Sequence, residues 1–274
     1  ACYGAPRTLA VPGSQRAIEL LPTLFPPGRA LLLAPSYEEH AAAWQRAGHR
    51  LRLLPAAEAE SGLEGAAAQC DTVVLCHPNN PTGQRFAADR LLALAHSLFQ
   101  RGGRLVVDEA FMDCEPADSL ATLSGEQGIV VLRSLGKFFG LAGARVGFVL
   151  AEEELLDRLR EALGPWPVAG PARAVALAAL SDRDWQRATR RRLQQEGARL
   201  AQLLRASGLG EPLGTPLFQW LRHPHAALIH DQLARQAILV RLFRQPASLR
   251  FGLPADEAGW ERLADALNQL DTQR

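Results

Sequence analysis

Between Arg29 and Leu150, short apolar runs alternate with stretches of helical periodicity, which leaves the chain few architectures to choose from. The runs are Ala30–Ala34, Leu51–Leu54, Thr72–Cys76, Arg104–Val107, Ile129–Leu132 and Val146–Leu150. Between them, Glu38–Ala47 and Arg85–Arg101 carry helix formers with apolar spacing near 3.6. Strands this short and continuously apolar, separated by helices, predict an α/β fold with a mostly parallel sheet covered on both faces. In such sheets ligands collect in the loops that follow the carboxyl ends of the strands.

Beyond Leu150 the pattern changes. Glu152–Ala162 reads as a charged helix, and Gly164-Pro165-Trp166-Pro167 through Gly170-Pro171 breaks it. Arg173–Leu180 and Asp184–Ser207 read as helices. Leu217–Leu221 and Ser248–Phe251 are strand candidates, with helices near Ala226–Gln236 and Asp256–Leu270. This predicts a large domain over residues 1–163, then a linking helix and a smaller α+β domain over 164–274. At 47% hydrophobic and 22% charged, the chain has enough apolar residues for a sizeable core. A formal charge of +1 offers no global field for nucleic acid or an anionic membrane, and no apolar run is long enough for a membrane span. The run Arg190-Arg191-Arg192, without interleaved aromatics, reads as a solvated helix face. Cys2, Cys70, Cys76 and Cys114 have no paired metal spacing, so no metal site is expected and the reducing cytosol is. His223 and His225 flank a proline and read as loop residues.

One count stands apart from these averages. Of 30 basic side chains only Lys137 is a lysine; the rest are arginine. A GC-rich coding bias turns surface lysines into arginines, and it spares a lysine only where arginine cannot do the same work. Arginine stays protonated, whereas a desolvated amine can attack a carbonyl. Lys137 lies in Ser134-Leu135-Gly136-Lys137, after a strand, among glycines and aromatics, with Arg145 eight residues on. Three further loops sit at comparable places. Val11-Pro12-Gly13-Ser14-Gln15 leads into a helix and reads either as an anion site or as an ordinary serine N-cap. His77-Pro78-Asn79-Asn80-Pro81-Thr82-Gly83 is a turn that sets two asparagines at a strand end. Val107-Asp108-Glu109-Ala110-Phe111 places two carboxylates where a strand ends, and the inward one needs a cation or a proton to share.

NNPTG, VVDEAF and SLGKFFGLAGARVGF, in this order, resemble the pyridoxal-phosphate enzymes of the aspartate-aminotransferase fold, the class I/II aminotransferase family. LRFGLP extends the resemblance almost to the end of the chain. It implies the fold type I architecture, with a mostly parallel seven-stranded sheet flanked by helices and a smaller C-terminal α+β domain. It implies pyridoxal 5'-phosphate bonded to Lys137, with Asp108 on the pyridine nitrogen, Asn80 on the phenolic oxygen and Tyr37 stacked on the ring. Gly13, Ser14, Gln15, Ser134 and Arg145 then hold the phosphate. Arg250 clamps the substrate carboxylate, and Arg241 reads the substrate's phosphate or makes a surface salt bridge. For Tyr37, core packing is the competing reading. The resemblance also implies a homodimer in the cytoplasm, a small phosphorylated amino acid as substrate, and no nucleic-acid or membrane partner.

GSQRAIELLP, APSYEEHAAAW and RSLGKFFGLAG look most like the branch that decarboxylates L-threonine O-3-phosphate to (R)-1-aminopropan-2-yl phosphate in cobalamin biosynthesis. Phe111 stands where many relatives carry tyrosine, and Gly136 where many carry a hydroxyl residue; both changes suit that branch. The alternatives are a histidinol-phosphate-type aminotransferase and an inactive aminotransferase-like regulatory module or fragment. No winged-helix segment or basic arm supports the last. Twelve residues precede the Gly13-Ser14-Gln15 segment where relatives have some tens, so the N-terminal arm is expected to be missing.

Overall fold

Each apolar run between Arg29 and Leu150 becomes a strand in the computed structural model, which describes residues 3–270; Cys2 lies outside them. The order is β1 (Leu9–Val11), α1 (Ser14–Leu20), β2 (Arg29–Ala34), α2 (Glu38–Arg46), β3 (Arg50–Pro55), α3 (Ala59–Ala67), β4 (Thr72–Cys76) and α4 (Ala88–Phe99). Then come β5 (Arg104–Asp108), β6 (Ile129–Ser134), β7 (Gly147–Leu150), α5 (Glu153–Leu163) and α6 (Gly170–Ser181). The remainder is α7 (Arg183–Ala206), β8 (Leu213–Thr215), β9 (Phe218–Arg222), α8 (Ala226–Arg235), β10 (Arg241–Arg244), β11 (Ala247–Gly252) and α9 (Glu257–Asn268). Among the described residues, 3–80 and 85–185 form one compact unit, and 81–84 with 186–270 form the other.

The first unit holds a seven-stranded sheet in the order β1-β7-β6-β5-β4-β2-β3. Strands β2 to β6 pair in parallel, β7 runs against β6, and β1 runs against β7. The central strands β4, β5 and β6 are buried on both faces, which is why their sequences are unbroken apolar runs. Their odd positions, Val73, Leu75, Leu105, Val107, Ile129 and Val131, pack with Leu63, Leu91 and Leu98 of α3 and α4. Their even positions, Val74, Val106, Val130 and Leu132, pack with Ile18, Trp44 and Leu155 of α1, α2 and α5. Fully burying one such side chain contributes about 1.5–3 kcal/mol, so each core is worth far more than any surface pair. At the sheet edge β3 has only β2 as neighbour, and Leu53 is left exposed.

The second unit carries a four-stranded antiparallel sheet, ordered β10-β11-β9-β8. Leu221, Leu249 and Phe251 of that sheet pack with Ile229, Leu233 and Leu263 of α8 and α9. Asp256 caps α9 by accepting from Gly259 N–H at 2.9 Å, which satisfies one orphan donor of its first turn.

Three expectations are corrected. The helix expected from Arg85 begins at Ala88, after an irregular approach. The helix expected over Arg173–Leu180 begins earlier, at Gly170, with Pro171 in its first turn, where no backbone donor is needed. The helix α3 and the short strands β1, β8 and β10 were not anticipated: α3 carries two glycines, and three- or four-residue strands show no period.

Candidate active site

A cavity opens where β4, β5 and β6 end, and the pleat determines what reaches it. Asp108 continues the even face of β5 and Cys76 that of β4, and parallel pairing sets them side by side. Ser134 continues the even face of β6 and lines the same space. Their sequence neighbours His77, Glu109 and Arg133 are buried away from it, on the odd face. Lys137 enters from the loop after β6, Asn80 from the loop after β4, and Ala110 with Phe111 from the loop after β5. Ser14, Gln15, Tyr37 and Arg145 complete the lining. Of the cofactor-site residues expected from sequence, all but Gly13 line one cavity.

Gly13 lies behind that lining and explains its shape. It adopts φ 79°, and a β-carbon there would come 2.5 Å from a guanidinium nitrogen of Arg145. A β-carbon at Gly147 would likewise come 2.5 Å from the backbone nitrogen of Ser14. Both positions therefore require glycine for the Arg145 side chain and the start of α1 to approach. Arg145 itself is a non-glycine residue at φ 51°, a left-handed conformation found at ligand clamps. Ser14 does not cap α1, whose N-cap is Gly13. The Ser134 hydroxyl accepts from Gly136 N–H at 3.2 Å, which ties the strand end to the lysine loop.

The two asparagines separate cleanly. Asn79 is fully buried; it accepts from the Ser36 hydroxyl at 2.8 Å and donates to the Pro35 carbonyl at 3.0 Å. It fastens the Pro35-Ser36-Tyr37 segment, while Asn80 lines the cavity. Tyr37 is partly exposed, not core, and its hydroxyl donates to Gln15 at 3.1 Å. Gln15 in turn donates to Glu39 at 3.0 Å. Burial, then the negative charge of Glu39, raises the Tyr37 phenol above its ordinary value. Lys137 lines the cavity but is exposed instead of desolvated, with its Nζ 5.6 Å from the Phe111 ring centroid.

Asp108 is buried and has two partners: its Oδ1 accepts from Ala110 N–H at 3.1 Å, and its Oδ2 lies 2.9 Å from His40 Nε2. The sequence reading did not include His40. A signal existed, since His40, Ala43 and Trp44 share the buried stripe of α2. Burial works against an imidazolium at His40, but Cys76 and Asp108 outweigh it and raise its pKa to about 10.

In the second unit Arg241 and Arg250 face each other across the β10–β11 pair. Burial, then the charge of Arg241, pulls the Arg250 guanidinium below its ordinary value. Each guanidinium lies against an aromatic ring, Phe243 at 5.9 Å and Phe218 at 5.2 Å.

Residues 3–267 match the sequence pattern of class I and II aminotransferases. A threonine-phosphate decarboxylase of Pseudomonas aeruginosa is 53% identical over 97% of this chain and 79% of its own length. Another from Sinorhizobium is 41% identical over 96% and 78%. A histidinol-phosphate aminotransferase of Vibrio vulnificus is 34% identical over 66% of this chain and 55% of its own length. Among solved structures, the histidinol-phosphate aminotransferase of Sinorhizobium meliloti in complex with pyridoxal-5'-phosphate superposes with TM-score 0.84 at 25% identity. It is matched over 96% of this chain and 76% of that one. The L-threonine-O-3-phosphate decarboxylase of Porphyromonas gingivalis shares the fold, with TM-score 0.77 over 96% of this chain and 82% of that one, at 21% identity.

Proposed function

The chain belongs to the class I and II aminotransferase family, and we propose that it decarboxylates L-threonine O-3-phosphate to (R)-1-aminopropan-2-yl phosphate, a step of cobalamin biosynthesis. The observation that carries the cofactor assignment is the convergence of Lys137, Asp108, Asn80, Tyr37, Ser14, Ser134 and Arg145 on one cavity. These residues fit pyridoxal 5'-phosphate by their chemistry: an amine for its aldehyde, a buried carboxylate for its ring nitrogen and an amide for its phenolic oxygen. The glycine-dependent approach of Arg145 to Ser14 supplies hydroxyl, amide and cationic donors for a phosphate. When bound, the cofactor supplies an electron sink for the pair released at the substrate's α-carbon.

The chain's own residues do the rest. Lys137 Nζ is the chain's one lysine amine; it lines the cavity, would hold the cofactor by its aldehyde, and could return a proton to the substrate's α-carbon. Asp108 holds a proton on the ring nitrogen from a site where water is excluded, so the pairing is strong. Asn80 donates to the phenolic oxygen, and Phe111, which has no hydroxyl, adds no second donor. Tyr37 covers the ring, with its hydroxyl anchored on Gln15. The anion contacts that orient the substrate would select which of its α-carbon bonds reacts. Arg250 offers a planar fork for the carboxylate and Arg241, opposite it, a cation for the substrate's phosphate. The choice of decarboxylation over transamination rests on the relatives at 53% and 41% identity.

Supplying L-threonine O-3-phosphate without any 2-oxo acid tests the reading. The expected result is multiple-turnover release of carbon dioxide with an aminopropanol phosphate product. No turnover there, together with amino transfer between histidinol phosphate and 2-oxoglutarate, would replace it with the aminotransferase reading. The family further supports a homodimer acting in the cytoplasm, and sedimentation at micromolar concentration is expected to give twice the chain mass. Among the described residues no helix is long and apolar enough to cross a membrane.

A further inference from the structure

The resemblance that assigns Gln15 to the cofactor's phosphate meets a different set of partners in the structure. Gln15 lies in the first turn of α1 and lines the cavity. Its Nε2 donates to Glu39 of α2 at 3.0 Å and, one helical turn on, to Glu19 of α1 at 3.3 Å. Its Oε1 accepts from the Tyr37 hydroxyl at 3.1 Å. Which end of the amide is which follows from those partners. A carboxylate only accepts, so the end that faces two carboxylates is the NH2, and the end left for the phenol is the carbonyl. An amide nitrogen carries two hydrogens, and each has a carboxylate to go to. The Gln15 side chain therefore keeps no N–H for a phosphate oxygen, and its carbonyl is an acceptor that an anion does not seek.

Tyr37 is held at two points. Behind it, Asn79 fastens Ser36 and Pro35, which fixes the backbone. The side chain itself is 37% exposed, so the backbone alone does not fix where the ring lies. An exposed ring that must settle on a ligand loses rotamer freedom on binding, and a hydrogen bond at its tip restricts it beforehand. We propose that Gln15 is the positioning residue for Tyr37 and not a phosphate ligand: Glu39 and Glu19 orient its amide so that the carbonyl holds the phenol over the cofactor ring. The proposal rests on the cavity taking pyridoxal 5'-phosphate with Tyr37 on its ring. Gln15 acts through the tyrosine, and the phosphate is left to Ser14, Ser134 and Arg145. Burial and then the charge of Glu39 raise the Tyr37 phenol above its ordinary value, which keeps it a donor.

Uptake of two ligands separates the roles: pyridoxal 5'-phosphate, and pyridoxal, which lacks the phosphate. Gln15→Met is expected to weaken uptake of both by the same factor, about twofold to tenfold, the range of one hydrogen bond. A loss confined to pyridoxal 5'-phosphate makes Gln15 a phosphate ligand and overturns the proposal, as does unchanged uptake of both. Tyr37→Phe keeps the ring and removes the hydroxyl, and adding Gln15→Met to it is expected to cause no further loss. Losses that multiply in the double variant overturn the proposal, because Gln15 then acts without Tyr37. If Gln15→Met does not fold, Gln15→Ala takes its place in each measurement. A third arm needs no cofactor. The tyrosine doublet in ultraviolet resonance Raman spectra distinguishes a donating phenol from a hydrated one. The chain has two tyrosines, so the difference from Tyr37→Phe isolates Tyr37. Gln15→Met is expected to move the Tyr37 signal from donor towards hydrated phenol, and an unmoved signal overturns the proposal whatever binds in the cavity. If the unsubstituted chain takes up neither ligand, the cofactor reading fails, and the spectroscopic arm still decides on the contact between Tyr37 and Gln15.

Discussion

On the cavity side of the β5 end, Asp108 meets the His40 imidazole and the Ala110 amide. On the opposite side, Glu109 meets the Arg133 guanidinium at 3.2 Å, the Ser119 hydroxyl at 2.7 Å and the Leu120 amide at 2.7 Å. Arg133 also holds Asp113 at 3.2 Å and lies over the Tyr3 ring at 4.5 Å. Both carboxylates are buried, and one peptide bond separates them. The rear acid is enclosed by donors and fastens the loop that follows β5. Burial raises its pKa, and Arg133 is the chief opposing influence. The front acid has the His40 imidazole and the Ala110 amide as partners and lines the cavity. The comparison teaches that the pleat, which turns alternate residues to opposite faces, assigns one acid to chemistry and its neighbour to architecture.

The largest expected effects lie on the front. Lys137→Arg removes the one amine able to bond a carbonyl, and activity is expected to fall by roughly 10^3-fold or more. Visible absorbance that bleaches on borohydride reduction, with a single modified lysine found by mass spectrometry, is expected only in the unsubstituted protein. Asp108→Asn is expected to lower kcat/KM by about 10^2-fold or more, measured on the folded fraction, because the change also leaves the buried His40 imidazole without its carboxylate. If that variant turned over normally, Asp108 would not be the ring-nitrogen partner and the front-rear contrast would lose its basis.

The rear side should respond in stability. Arg133→Met leaves Glu109 and Asp113 buried without their shared cation, and breaking a buried pair costs about 3–5 kcal/mol. Urea unfolding checks this, and a loss below about 1 kcal/mol, the range of a surface pair, would remove the rear network from the account.

The smallest effect sharpens the same contrast with two histidines. His77 follows Cys76 on β4 and is buried on the odd face, where its Nε2 accepts from Phe86 N–H at 3.0 Å. Burial, then the charge of Arg85, lowers its pKa to about 4. A neutral ring favoured in the fold contributes stability above its unfolded value near 6.5, and that contribution is lost as pH falls towards about 4. The amount at stake is about 3 kcal/mol at most. His40 has the opposite sign. Its contribution is full below about 6.5 and is lost as pH rises through about 10. Stability curves of His77→Gln are expected to be flatter between about pH 4 and 6.5 than those of the unsubstituted protein. Curves that coincide would show that the rear histidine does not titrate with folding.

Much of this was legible before any coordinates. Continuous apolar runs mark strands buried on both faces, so β2 and β4 to β7 stand in the sequence within a residue or two of their places. A single lysine after a strand, an asparagine turn and a pair of acids at strand ends announce the chemistry, since those residue types have few other reasons to stand there. Residue type and spacing alone did not separate the members of each pair; the family resemblance pointed to Asn80 and Asp108, and the pleat and turn geometry supply the physical reason. Asn79 and Asn80 are alike in type and adjacent, yet one fastens Pro35 and Ser36 while the other lines the cavity. Arg241 and Arg250 become partners only through the pairing of β10 with β11, and β10 is too short to show a period. His40 meets Asp108 only because the crossover from β2 lays α2 on the even face of the sheet. Burial repeats with the period of the backbone and is therefore written along the chain. The meeting of two particular side chains depends on register and crossover, which many residues fix jointly and no short segment encodes.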